Sequence, residues 1–174
     1  MSLKQQISLS NFSLQKKTLL FFFLLALESL FLLLLHSYFP GAGKLFLPVY
    51  FFTLAGLLFF GIEIGAASSL FLPLFSFLVT GMPSGLMLFM VIAKSLFFVS
   101  AYFLLIAKLY LKLKWAFLLS FLFYQSAGLG LGVFLGLSSP LLWNDFQKGF
   151  IGLFIQLVLG GGIALYLDKK NENA

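Results

Sequence analysis

Two ionisable side chains, Glu28 and Lys94, stand inside long apolar runs of the sequence. At the centre of a membrane helix such a group costs about 2.5–3.5 kcal/mol, so each must face inward or be paired. Counted from the far ends of their runs at Tyr38 and Gly85, both lie about 14 Å deep at about 1.5 Å per residue. Two roles fit. They form a sealed salt bridge with each other, or Lys94 binds or gates an anionic group of a ligand. Lys94 shares a helical face with Phe98 and Tyr102, which reads as the wall of a pocket. Gln125 and Gln156 are the next polar groups of interest. Gln125 falls in step with Gly128, Gly132 and Gly136, and Gln156 with Gly149, Gly152 and Gly160. Two glycine faces imply close helix contact. A buried amide needs partners, either on another helix or on a ligand.

Catalytic patterns are missing. The sequence has no H-E-x-x-H, no G-x-S-x-G and no acidic pair, so hydrolysis has no support. His36 is the single histidine, placed near an interface with no base partner. Gly41-Ala42-Gly43-Lys44 faintly echoes a phosphate loop, but Tyr38 stands where the first Gly belongs and Leu45 where Ser or Thr belongs. We expect no enzyme, no cofactor and no metal. Any energy for active transport must come from another subunit or from an ion gradient.

The elements that carry these residues follow from composition. The chain has 174 residues, of which 61% are hydrophobic and 9% charged, with a mean hydropathy of +1.09. An ordinary soluble domain is about a quarter charged, so the solvent here is lipid. The formal charge of +6 comes from eleven lysines against five acidic residues; all the lysines but Lys94 stand at segment ends and they form no aromatic-interleaved stripe, which argues against nucleic acid. The absence of Cys excludes disulfides and thiolate chemistry. Residues 1–17 are polar and the run after them is about 20 residues long, too long for a cleavable signal core.

Apolar segments cut at Pro, Gly and polar punctuation cover 18–38, 45–60 and 62–80. A fourth follows Gly85 and reaches Ala107, and two more cover 115–137 and 146–167. Backbone in lipid must close its own hydrogen bonds, so each is a helix. The expected fold is an all-α integral membrane protein of six transmembrane helices, with 1–17 and 168–174 as flanking segments. Lys4, Lys16, Lys17, Lys108, Lys112, Lys114, Lys169 and Lys170 fall on one side, Lys44 and Lys148 on the other. By the positive-inside rule both termini are then cytoplasmic. The outward loops become 40–44, 81–85 and 138–145, the expected lid. On the third span Gly65, Ser69, Pro73, Ser76 and Thr80 share one face, and Pro73 deprives the Ser69 carbonyl of its helical donor. That face packs or binds.

The stretch from Leu45 through Pro48, Tyr50 and Thr53 to Gly61, then Gly65-Ala66-Ala67, then Leu72-Pro73 onward to Thr80-Gly81-Met82-Pro83, resembles the core of the substrate-binding subunits (S components) of energy-coupling factor (ECF) vitamin transporters. The run from Gly149 to Gln156 is similar to their last helix. The resemblance covers the chain from about Leu45 onward. It implies a six-helix subunit of the bacterial cytoplasmic membrane that takes a vitamin or related micronutrient at its outer face under the three loops. It also implies a membrane coupling subunit (T component) and two ABC-type ATPases as partners. The candidate substrate-binding set is Lys44, Tyr50, Thr53, Ser76, Thr80, Met82, Lys94, Tyr102, Gln125, Asn144 and Gln156. The chain departs from that family's pattern in three places. Tyr50 stands where many have His, Lys94 where some have Glu, and Ala26 is followed by Leu30 where many carry Ala-x-x-x-Ala for docking. The substrate and docking face therefore stay open. The alternative is a six-span scaffold resembling the cell-shape protein MreD, which has no need of a central charge.

Overall fold

The computed structural model describes residues 13–38, 48–81 and 85–172. They form six helices: α1 (Leu14–Tyr38), α2 (Pro48–Phe60), α3 (Ile62–Thr80), α4 (Leu86–Ala107), α5 (Leu113–Phe134) and α6 (Ser139–Glu172). Five contain stretches long and apolar enough to cross a membrane. The exception is α2, whose 13 residues give about 20 Å against a hydrocarbon core of about 30 Å. The expected second span from residue 45 therefore begins, among the described residues, at Pro48, a residue suited to the first helical turn because it has no N–H to satisfy.

Polarity is inverted relative to a water-soluble domain. Large apolar side chains such as Leu78 and Phe134 are exposed, while Glu28, Thr53, Ser68, Ser69, Ser76, Ser95, Ser120 and Gln156 are buried. Lipid solvates the first group, and small polar residues let helices approach closely. The chain is a multi-pass helical membrane protein.

The helices are placed so that the short one is central. α2 touches α1, α3, α4 and α6, with α3 against α4 and α4 against α5 completing the surround. It thereby divides the interior in two. On one side Leu54, Leu57 and Leu58 pack with Phe98, Tyr102, Phe117 and Tyr124 of α4 and α5 and with Leu153 and Ala164 of α6. On the other, Phe52 packs with Leu24 of α1 and Ile64 and Leu72 of α3.

Local chemistry fixes the turns. Gly61 links α2 to α3 at φ 93, a conformation that side chains resist. A Cβ on Gly65 would lie 2.9 Å from Leu57 Cβ and 3.0 Å from Leu57 Cα, so the two helices meet backbone to backbone. α5 ends in a Schellman turn, with Gly136 at φ 73 and Leu137 N–H donating to the Gly132 carbonyl at 3.0 Å. At the opposite end of α5, the N–H groups of Leu113 and Lys114 donate to Asp168 Oδ1 and Oδ2 at 3.0 and 3.1 Å. A carboxylate from α6 thus caps α5, satisfying donors that a helix start leaves open.

Expected boundaries move at the start of α1, at both ends of α5 and at both ends of α6, and the largest shift is at the start of α6. The segment 138–145, expected as a loop and part of the lid, is helical from Ser139. At 34 residues α6 runs about 51 Å, well beyond the hydrocarbon thickness, so its polar first turns belong to one rod with the span. Ser139 and Pro140 at its start are residues that open helices. Of the other two expected loops, 40–44 lies outside the described residues, as do 82–84 of the segment 81–85.

Candidate functional site

Between α2, α4, α5 and α6 lies a cavity with aromatic walls and a few polar groups. Its lining is Tyr50, Thr53 and Leu54 of α2, Ser95 and Phe98 of α4, Phe117, Phe121 and Tyr124 of α5, and Gln156 of α6. The hub is Tyr124. Its ring meets Phe98 and Phe121 edge to face, with centroids 5.6 and 5.3 Å apart, and Tyr50 at 5.8 Å. Each such pair adds about 0.5–1.5 kcal/mol beyond simple burial. The hydroxyl of Tyr124 donates to Gln156 Oε1 at 3.2 Å and accepts from Gln125 Nε2 at 2.8 Å. These two bonds hold a phenol and two amides in one chain across α5 and α6.

That network leaves polar capacity unspent. Gln156 Nε2 and Thr53 Oγ1 are buried without a hydrogen-bond partner. The contrast with the other hydroxyls is informative. Ser29, Ser69, Thr80, Ser95, Ser120 and Ser126 all donate to a carbonyl three or four residues back in their own helix, the usual resort of Ser and Thr in a helix. Thr53 does not. An unmade buried hydrogen bond costs about 1–3 kcal/mol, and here an amide donor and a hydroxyl both carry that cost. The free space between them is about 10 Å³, room for about one water molecule. A larger guest needs the surrounding rings to swing apart.

The structure brings Tyr50, Thr53 and Gln156 of the expected set together at this cavity. Gln125 reaches it only through the Tyr124 hydroxyl. Tyr102 lies one ring away, stacked on Phe98 with centroids 6.3 Å apart. Ser76 and Thr80 are on α3, where the Thr80 hydroxyl donates to the Ser76 carbonyl at 2.8 Å, and neither lines the cavity. Lys44, Met82 and the side chains of Asn144 and His36 lie outside the described residues. Lys94, next to the lining residue Ser95, runs along α5: a Cβ on Gly128 would lie 2.8 Å from its Cγ and 2.9 Å from its Cδ. The glycine at 128 is the groove for the lysine stem. Neither oxygen of Glu28 has a hydrogen-bond partner, so the sealed Glu28–Lys94 pair does not form.

Tyr124, Ser95, Phe117 and Phe121 were absent from the expected set. Tyr124 carried a readable signal, since a mid-span phenol must find a partner for its hydroxyl. The three others read as ordinary core.

Comparison of the chain with protein-family models, with curated proteins and with solved structures finds no match.

Proposed function

We propose that this chain is the substrate-binding subunit of an ECF-type importer, capturing a vitamin or related micronutrient for uptake, and that binding rather than catalysis is its role. The observation that carries the reading is the aromatic cavity with two unspent polar groups, Thr53 Oγ1 and Gln156 Nε2. Apolar walls with a few placed polar groups are the usual make-up of a small-molecule site. Flat rings suit walls built from Tyr50, Phe98, Phe121 and Tyr124. The sequence resemblance over α2, α3 and α6 supports the same reading. On it the chain lies in a bacterial cytoplasmic membrane, and its partners are a membrane coupling subunit and two ABC-type ATPases.

Co-isolation tests this directly. The tagged full chain, purified in mild detergent from its own host, is expected to bring down one membrane subunit and a pair of ATPases in stoichiometric amount. Recovery with cell-shape proteins in their place, or recovery alone at equal yield, would reject the importer reading in favour of the scaffold.

A further inference from the structure

The apolar stretches of α4, α5 and α6 stop together at one corner of the bundle, at Ala107, Leu113 and Lys170. That level is where hydrocarbon gives way to headgroups. The Asp168 carboxylate of α6 accepts from the N–H groups of Leu113 and Lys114 at 3.0 and 3.1 Å, which ties the start of α5 to the end of α6. The link from α4 to α5 is residues 108–112. Lys108, Lys112, Lys114, Lys169 and Lys170 are therefore gathered around one point. Among the described side chains of this corner, Asp168 is the sole acid.

Asp168 spends both oxygens on the backbone of α5. Lys108, Lys114, Lys169 and Lys170 make no ion pair among the described residues, so the corner keeps a surplus of positive charge. The neighbouring corner of the same end is balanced, since Lys17 of α1 pairs with Glu63 of α3.

Aromatic rings flank the lysines. Tyr110, Trp115 and Tyr166 are 76%, 53% and 66% exposed, the placement that amphipathic rings take at headgroup depth. Tyr110 is kept there at a cost. Its φ of 53 makes it the one non-glycine with positive φ among the described residues, a conformation that a bulky side chain resists and glycine adopts freely. The turn lets Leu111 N–H donate to the Leu105 carbonyl at 3.2 Å, which a glycine at 110 would also allow. The ring is thus retained for something the turn does not need.

We infer that this corner binds the headgroup of an anionic phospholipid, its phosphate among the lysines and its glycerol end against the exposed rings. Lysine binds phosphate as a point charge on a flexible stem, and basic clusters between membrane helices at this depth hold anionic headgroups. A protein partner is the competing occupant. The lipid is favoured because the rings stand at the border of the spans, where headgroups already lie, and not on a loop projecting into water. The site is independent of the cavity lined by Gln156.

Native mass spectrometry of the full chain in mild detergent, titrated with phosphatidylglycerol against zwitterionic phosphatidylethanolamine, reads the site. Phosphatidylglycerol is expected to be retained in preference. The triple variant Lys108→Gln, Lys169→Gln, Lys170→Gln is expected to weaken that binding about tenfold or more. A control of equal net charge, Lys4→Gln, Lys16→Gln, Lys148→Gln, should keep it. Tyr110→Gly is expected to raise the melting temperature of lipid-free protein and yet to weaken phosphatidylglycerol binding, a combination that a merely structural tyrosine would not give. Equal retention of the two lipids, equal losses in the two triple variants, or a Tyr110→Gly variant less stable without lipid would each overturn the inference. A site variant that keeps phosphatidylglycerol but loses a co-isolated protein would also overturn it, and would assign the corner to that protein.

Discussion

Thr53→Val is expected to stabilise the empty protein while weakening its ligand at least tenfold. The two effects share one cause. Thr53 is buried with its hydroxyl unpartnered, and a buried group in that state costs about 1–3 kcal/mol relative to an apolar isostere. Valine keeps the shape and removes the cost, so the ligand-free variant should melt at a higher temperature than wild type. Bound substrate, by contrast, loses a partner that it satisfies only in the complex. Residues that trade stability for function in this way mark binding sites. Thermal unfolding of detergent-purified protein with and without substrate measures both effects. A variant less stable than wild type when empty would show that the hydroxyl serves the fold.

The second large effect is expected from Gly128→Val. The stem of Lys94 occupies the space a side chain would need, with its Cγ and Cδ 2.8 and 2.9 Å from the added Cβ. Overpacking of this kind costs about 1–3 kcal/mol, and a lysine forced out of its groove among membrane helices adds to it. The melting temperature should fall sharply. Shortening the stem should relieve the clash, so Gly128→Val combined with Lys94→Ala is expected to be more stable than the sum of the two single changes predicts, by about 1–2 kcal/mol of coupling. Simple additivity would show that the two residues do not share the space.

These two sites also mark where the sequence was legible. The helices could be read because lipid demands long apolar runs, and the ends of α3 and α4 stand at or within a residue of the expected punctuation. The start of α6 was not legible. Its first turns mix Ser139, Pro140, Asn144 and Asp145 with Leu142 and Trp143, a pattern that does not by itself separate loop from helix. Depth could be read as well: Glu28 and Lys94 are both deep within their helices. Direction around the helix axis could not. Lys94 lies across Gly128 on α5, while the Glu28 oxygens have no hydrogen-bond partner, because each answers to the neighbour its helix packs on. For the same reason Gln125 and Gln156 were readable as amides in want of partners, of which Gln156 is buried and Gln125 half-buried. Their common partner, Tyr124, required knowing that α5 and α6 are adjacent. Thr53 stood in the expected set, but that its hydroxyl lacks the in-helix bond made by Ser95 and Ser120 could not be read from the sequence.

Mass spectrometry of small molecules extracted from the purified protein, with a matched sample of Gln156→Leu, tests the binding role most closely. An equimolar heteroaromatic compound is expected in the wild-type sample and strong depletion of it in the variant, since Gln156 supplies the unspent amide donor of the cavity. A compound retained equally by both samples would place its site elsewhere, and a wild-type protein that holds none and binds none when supplied with candidate vitamins would contradict the binding role.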